Sequence, residues 1–460
     1  MRLAAVPLIP PPKIARARPF GRIPFGVGPR FFLLLILGLL WIGPAWIERR
    51  FLYAMAAWDV ALFFLWAWDV YRLPGPGDLE ISRLWNAPPS LTNKSKVELE
   101  LMNRGNNAII ATLIDDLPAA LRSSPATVEV QAAPGSAVRS AYSIQPSQRG
   151  DTELGTTHVR YQSALRVGER WAVADLRQTV RVVPDLEEAR RHTLYLMRSR
   201  QIEMEKRLTR YRGLGREFES LRDYREGDDV REICWTATGR RARLITRQFQ
   251  IERSQAVWIV VDAGRLLRAR IGGLSKLDYA VNAALTLAHI ALYSGDRVGL
   301  LAYGRQVQQE LKAARGPLQL NAFVQALAVV RGEVNEADHI RAVRMLLMAQ
   351  KRRSLIVWIT DLAETAMVPE VIQSALQLTK RHLLLFAAIA QPEVAKVTEK
   401  APRDETELYR YTAAQEMLQR RELLLRTLRQ QGALALELQP GKLSTGLVNQ
   451  YLDVKERGMI

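Results

Sequence analysis

"VWIVVD", residues 257–262, is an unbroken apolar run that ends on an acid. Strict alternation would mark a strand with one wet face. A continuous run of β-branched and aromatic residues marks a strand buried on both faces, as in a parallel sheet. The texture returns in "RVGLLAY" (297–303), "SLIVWITD" (354–361) and "LLLFAAIA" (383–390). Helical patterns cover 277–293, 318–329 and 337–349, and a long one covers about 413–431, with Gly432 as its stop. "ALALELQ" and a last helix near 445–454 close the chain. Strands alternating with helices predict a doubly wound α/β domain over 254–460, with its ligand crevice at the carboxyl ends of the strands. Asp262 and Asp361 both fall at such ends.

Upstream the texture changes. A chain of 460 residues exceeds one ordinary core and predicts a multidomain protein. Over 79–184 the runs are short and alternating: "VELEL" (97–101), "ATVEVQ" (126–131), "TVRVV" (179–183). Turn residues separate them, as in Pro134-Gly135-Ser136, so this part predicts an antiparallel β-sandwich. Pro74-Gly75-Pro76-Gly77 reads as a linker before it. After it, 185–212 carries strong helix formers, interspersed charges and no Pro, and predicts a solvated connecting helix.

Two apolar runs precede the linker, "FFLLLILGLLWIGPAWI" (31–47) and a second over 51–70, with Glu48-Arg49-Arg50 between them. At ~1.5 Å per residue each is near the lower limit for a ~30 Å hydrocarbon core, and 31–72 predicts a transmembrane helical hairpin. The alternative is a signal peptide plus a buried helix, but no small-residue cleavage site follows the first run. Asp59 stands near the centre of the second run and is expected to face the other helix, because a carboxylate exposed to lipid is costly. Residues 1–30 hold Arg2, Lys13, Arg16, Arg18, Arg22 and Arg30 and no acid. The positive-inside rule then places this basic arm, both termini and the soluble domains in the cytoplasm. The arm is expected to lie on anionic lipid.

The net charge of +18 opens three partner classes: nucleic acid, anionic lipid or an acidic protein. Interspersed acids and the lipid-facing arm argue against nucleic acid. The single cysteine, Cys234, excludes an intramolecular disulfide. No P-loop, H-E-x-x-H or G-x-S-x-G occurs, and the five histidines are scattered. "PGKLST", near Gly441, lacks the upstream glycine of a P-loop and reads as a turn.

Between the two soluble domains, 213–253 contains "FESLRDYREGDDVREICW" (218–235), where acids and arginines are interleaved with aromatics. Gly227 followed by Asp228 and Asp229 reads as a turn into a helix, with Asp229 and Glu232 as a capping box. Val230, Ile233, Cys234 and Ala237 would share one face, and Tyr224, Ile233 and Trp235 are expected to be buried. "RARLITRQF" from Arg241 reads as a strand.

This stretch resembles the signature of the bacterial domain of unknown function 58 family. Glu217, Phe218, Leu221, Arg222, Tyr224, Gly227, Asp228, Asp229, Arg231, Ile233, Trp235, Thr238 and Arg240 match it. Cys234 stands where the family has Asp, and Gly239 where it has Ala. The resemblance implies two N-terminal spans in a bacterial plasma membrane, a β-rich region and a von Willebrand factor A-like domain. In that domain an Asp-x-Ser-x-Ser motif and a later Asp hold a Mg²⁺ ion. Here the first motif reads Asp262-Ala263-Gly264-Arg265-Leu266, without the serines and with Arg265 where the ion would be crowded; Asp361 matches the later aspartate. The alternative is that Asp262 and Asp361 cap helices or pair with arginines.

The resemblance also implies a partner, a MoxR-type AAA+ ATPase, with this chain as a non-enzymatic adaptor towards a client protein. The signature would present its charges to that partner, or fix itself to the α/β sheet through ion pairs. Two other readings compete with it. One is nucleic-acid binding; the other is a hydrolase using Glu217, Asp228 and Asp229, which would need two of these carboxyls brought together in a pocket.

Overall fold

The computed structural model describes residues 7–122, 124–185, 187, 191, 217–225, 230, 233–250, 255–362 and 368–459. The chain divides into two units at Val183/Pro184.

In the first unit, alternating side chains build two antiparallel sheets around one core. The early strands are β1 (Lys13–Arg16), β2 (Arg18–Pro19) and β3 (Phe25–Val27). After the apolar segment come β4 (Leu79–Trp85), β5 (Ser95–Asn103), β6 (Ile109–Asp115), β7 (Ala126–Ala132), β8 (Ala137–Ile144), β9 (Gly150–Leu154), β10 (Thr157–Gln162), β11 (Gly168–Ala174) and β12 (Gln178–Val182). One sheet has the order β1-β4-β5-β8; the other runs β2-β11-β10-β6-β7 with β3 also on β11, and β9 pairs β12. Val97, Leu99 and Leu101 of β5 point into the core shared with Leu113, Val130 and Val159. Glu98 and Glu100 point away, as the period of two requires.

Residues 13–27, part of the basic arm, hold the three strands β1, β2 and β3. Their basic residues alternate with small ones, and Ala17 is buried in the core. The sheets are therefore assembled from chain on both sides of the apolar segment, β1 on β4 and β2 and β3 on β11.

The apolar segment is helical but uneven. α1 (Pro29–Gly38) gives way to a 3₁₀ turn at Leu39–Trp41 and the short α2 (Ile42–Ala45). Pro44 is the physical cause: it has no N–H to give Leu40 and its ring crowds that carbonyl. α3 (Arg50–Arg72) is one continuous helix, long and apolar enough to cross a membrane. α1 and α3 pack together, with Trp58 Nε1 donating to the Leu34 carbonyl at 3.0 Å. A Cβ at Gly38 would lie 2.6 Å from the Trp58 ring and 3.6 Å from the Asp59 carboxylate. Asp59 thus faces the neighbouring helix. Asp69 is buried and accepts from Ser163 Oγ at 2.6 Å and Gly168 N at 2.8 Å. The Pro-Gly segment behind it is docked on the sheet, since the Pro74 carbonyl accepts from Tyr161 Oη at 2.9 Å.

The second unit starts with β13 (Glu217–Asp223), α4 (Trp235–Arg241) and β14 (Ile245–Gln250), β13 and β14 pairing antiparallel. The helix expected over 185–212 lies outside the described residues apart from Asp185, Glu187 and Arg191. The α/β part continues through β15 (Ala256–Asp262), the small hairpin β16 (Arg270–Ile271) and β17 (Leu274–Ser275), α5 (Lys276–Tyr293), β18 (Arg297–Tyr303), β19 (Val307–Ala314), α6 (Pro317–Ala328) and α7 (His339–Ala349). It ends with β20 (Leu355–Thr360), α8 (Val368–Thr379), β21 (Leu383–Ile389), α9 (Pro392–Thr398), α10 (Glu405–Gln430), β22 (Leu434–Leu438) and α11 (Leu443–Glu456).

The sheet order is β19-β18-β15-β20-β21-β22. Neighbours are parallel except β19, which pairs antiparallel with β18 at the edge. "VWIVVD" is fully covered because it is central, and its Trp258 packs with Trp358 and Phe386 in the core. The chain turns to opposite sides after β15 and before β20, so these two strands flank the switch point. α10 starts earlier than its apolar pattern suggests because Asp404 caps it, accepting from Glu407 N at 2.6 Å.

Candidate functional site

The two strands that flank the switch point deliver Asp262 and Asp361 together, each 3% exposed. Asp262 Oδ1 accepts from Gly264 N at 2.7 Å, and its Oδ2 accepts from Thr360 Oγ1 at 2.6 Å. Asp361 Oδ2 accepts from Lys276 Nζ at 2.5 Å and from Gln391 Nε2 at 3.3 Å. Its Oδ1 accepts from Leu362 N at 2.7 Å and Arg421 Nη1 at 3.1 Å. Thr360 Oγ1 bonds the Asp262 carboxylate and the main-chain carbonyl of Asp361, and the oxygens of both carboxylates are occupied by protein donors.

Lys276 is the first residue of α5 and is 5% exposed. A cation at a helix N-terminus opposes the macrodipole, so its place there depends on the Asp361 charge. Arg421 comes from α10, is 6% exposed, and also donates to the Ile389 carbonyl and lies 2.6 Å from Glu437. Around Asp262, Tyr303 Oη accepts from Trp358 Nε1 at 2.8 Å and stands 2.8 Å from His339 Nδ1. Burial pushes the Asp262 carboxyl above the usual carboxylate range; His339, Thr360 and Gly264 oppose the shift, and the Asp361 charge adds to it. Burial also holds the Tyr303 hydroxyl well above its ordinary pKa.

A cavity of about 360 Å³ opens above Lys276 and Asp361, with Arg265, Arg270, Gln391 and Glu393 on its walls. Arg265, expected to crowd an ion, turns instead to Glu336 at 2.9 Å. The positive charges bound to Asp361 in the crevice are Lys276 and Arg421. The donor set does not fit Mg²⁺, which needs a near-octahedral shell of oxygens: Asp361 is committed to an ammonium and a guanidinium, and no serine follows Asp262 within the motif. Among the described residues no cluster of three or more His, Cys, Asp or Glu could hold a metal.

The signature forms a separate, more open site. Glu217 and Phe218 lie on β13, in register with Gln250 and Phe249. Arg222 is half-buried and its Nη1 donates to the Asp223 carbonyl at 3.3 Å; Tyr224 is half-buried and its N donates to the Leu244 carbonyl at 2.9 Å. Gly227, Asp228, Asp229 and Arg231 lie outside the described residues, as does Glu232 of the expected capping box. Val230 lies in a 3₁₀ turn, and α4 runs from Trp235. Ile233 and Cys234 are buried and bridge to β14, with Cys234 N donating to the Ile245 carbonyl at 2.8 Å. Cys234 is the N-cap of α4, a position that suits the Asp of the family pattern.

Trp235 corrects the expectation of an aromatic core: it is 65% exposed. Val230 at 62%, Leu244 at 44% and Leu221 at 42% are exposed too, and so is Arg240. Among the described residues no further carboxylate joins Asp262 and Asp361 in a metal-binding cluster, though Glu393 shares the cavity wall with Asp361. The structure adds three groups that sequence reasoning missed, Lys276, Arg421 and His339. Lys276 had a signal, a lysine opening a mostly apolar helix.

Residues 220–401, from β13 past α9, match the model of a family described as "Protein of unknown function DUF58". The resemblance drawn from the signature is met over that range. Uncharacterized proteins of Mycobacterium bovis and Mycobacterium tuberculosis are each 28% identical over 156 residues, covering 32% of this chain and 48% of theirs. The match thus spans about half the length of these relatives. Among solved structures, the chain is similar to the conserved hypothetical protein BatB from Bacteroides thetaiotaomicron, with a TM-score of 0.31 and 13% identity over 44% of this chain and 100% of that one. It is also similar to proximal thread matrix protein 1 from the mussel byssus, with a TM-score of 0.27 and 12% identity over 43% of this chain and 46% of that one.

Proposed function

We propose that this chain is a membrane-anchored, non-enzymatic adaptor for a MoxR-type AAA+ ATPase, acting on a client protein in complex assembly or envelope homeostasis. The observation that carries the reading is the outward-facing signature: Trp235 is 65% exposed, Val230, Leu221 and Leu244 are exposed as well, and so is Arg240 on the same short helix as Trp235. Exposed aromatics and arginines of this kind are the usual anchors of protein interfaces. The crevice of the α/β sheet supports the same division of labour, because Asp361 is spent on internal cations and Asp262 on neutral donors. A von Willebrand factor A-like reading of this domain is supported by the sheet order and its antiparallel edge strand β19.

The anchor is a two-span hairpin in a bacterial plasma membrane, with both termini and the soluble domains cytoplasmic. Support comes from connectivity: chain that leaves the sheets at Val27 rejoins them at Leu79, which requires an even number of crossings.

The test is an affinity pull-down of the tagged, detergent-extracted protein from its own cells, with and without ATP, beside Trp235→Ala. We expect an AAA+ ATPase with the parent and at least about a tenfold loss with the variant, the order of ~1.4 kcal/mol or more at an aromatic hot spot. The variant's melting curve should be unchanged. An ATPase retained equally by both would remove the signature from the interface. Absence of any ATPase would remove the adaptor reading.

A further inference from the structure

The reach of the hairpin sets a condition on the sandwich. From Arg50 to Arg72 is 22 helical steps, about 33 Å at ~1.5 Å each, enough for a hydrocarbon core of ~30 Å. The end of that helix is not free. Trp66 Nε1 donates to the Gly26 carbonyl at 3.0 Å, and Asp69 is held by Ser163, Val167 and Gly168. Arg30, at the root of α1, donates to the carbonyls of Ala164 and Leu165 at 3.4 and 3.3 Å. The side-chain hydrogen bonds of α3 to the sheets come from Trp66 and Asp69, which leaves 51–65, 14 steps or about 21 Å, beyond them, with Leu62 the one buried residue of that stretch. That falls short of the core by roughly 9 Å. A hairpin that spans must draw this end of the sandwich into the interfacial layer.

The end is built for that layer. Leu165, at the tip of the β10–β11 turn, is 42% exposed, and Phe25, beside Trp66, is 40% exposed. Trp68 at 49% and Tyr71 at 84% lie at the same level of α3, with Arg72 4.7 Å over the Trp68 ring. Arg30 and Arg166 are exposed around Leu165, and Arg166 is held at φ 55 on the turn. Aromatic rings beside long basic side chains are what a headgroup boundary favours.

We propose that this end of the sandwich is a membrane-seating surface. Leu165 and Phe25 enter the boundary between headgroups and acyl chains, while Arg30, Arg72 and Arg166 bind lipid phosphates and favour an anionic leaflet. The proposal rests on the membrane-anchored reading above, and the test separates the two. The full chain, carrying Cys234→Ser, is reconstituted in vesicles of phosphatidylcholine alone or mixed with phosphatidylglycerol. A spin label is placed at Phe63→Cys in the hairpin, Leu165→Cys at the rim, or Lys94→Cys, which lies beyond the opposite end of β5. Collision with oxygen and with a water-soluble nickel chelate reports depth.

The Phe63 label is expected deep, the Leu165 label at interfacial depth, and the Lys94 label in water. Adding Arg166→Glu should shift the Leu165 label towards the Lys94 value in the anionic vesicles. A deep Phe63 label with a Leu165 label as aqueous as Lys94 overturns the seating surface and leaves the anchor. If the Phe63 label is aqueous as well, both readings fall.

Discussion

Asp115 in the sandwich and Asp361 in the α/β unit are both buried carboxylates that meet a guanidinium, yet they close their surroundings to different degrees. Asp115 bridges the two sheets. Arg83 of β4 binds it through Nε at 2.9 Å and Nη2 at 2.5 Å, Tyr142 Oη donates at 2.5 Å and Thr157 Oγ1 at 2.7 Å. Arg83 spends Nη1 on the Leu176 carbonyl at 2.7 Å. Both side chains of the pair are 0% exposed. Asp361 has a similar number of donors, but one is a flexible lysine and a cavity of about 360 Å³ opens above it. Strand ends at a switch point cannot be packed as tightly as facing sheet interiors, because the chain diverges there. The same pairing chemistry is a clamp in one place and a plug in the other.

The largest expected effect breaks the clamp. Arg83→Met leaves the Asp115 charge buried without its cation and should cost about 3–5 kcal/mol of stability, read from denaturant melts of the full chain. Adding Asp115→Leu to the same chain should return much of that loss, since a pair replaced by apolar groups no longer carries an unpaired charge. A small effect of Arg83→Met alone would mean that Tyr142 and Thr157 suffice to hold the carboxylate.

Removing the plug should cost less. Lys276→Met leaves Asp361 with Arg421, Gln391 and Leu362 N, so a loss of about 1–3 kcal/mol is expected. Mg²⁺ should not restore it, because Arg421 still occupies the carboxylate and Asp262-Ala263-Gly264-Arg265-Leu266 offers no hydroxyl. Recovery of the melting temperature by Mg²⁺ would show that the ammonium stands where an ion can bind.

The contrast also explains what could be read in advance. Central strands such as 257–262 announce themselves because burial on both faces leaves no polar position. β19, "VQQELKAA", and the strands at 13–27 do not, because edge strands keep polar and basic residues that a local reading assigns to loops or lipid. Asp262 and Asp361 were legible as strand-end acids. Their partners were not, since Lys276 and Arg421 arrive from helices 85 and 60 residues away from Asp361. Trp235 misled for a related reason: its size argues for burial, but it opens a short helix whose inner contacts are made by the neighbouring Ile233 and Cys234.

The smallest effect concerns Asp262, which has no cation hydrogen-bonded to it comparable to Lys276 and rests on neutral donors. Its folded pKa is raised, chiefly by burial, above the ordinary carboxylate value near 3.9. Between those two values the folded state binds the proton more tightly than the unfolded chain. Stability from this group is therefore full below pH ~3.9 and declines as the pH rises through the folded pKa. Asp262→Asn keeps an oxygen for Gly264 N and removes the buried charge, and the Thr360 hydroxyl can turn to accept from the new amide. The variant should melt within about 1 kcal/mol of the parent at neutral pH. It should also lose that acid-side slope, as read from melts of both chains from pH 4 to 8. A variant that keeps the parent's slope would assign it to other carboxylates, and one that melts far lower would show that the Asp262 charge itself organises the switch point.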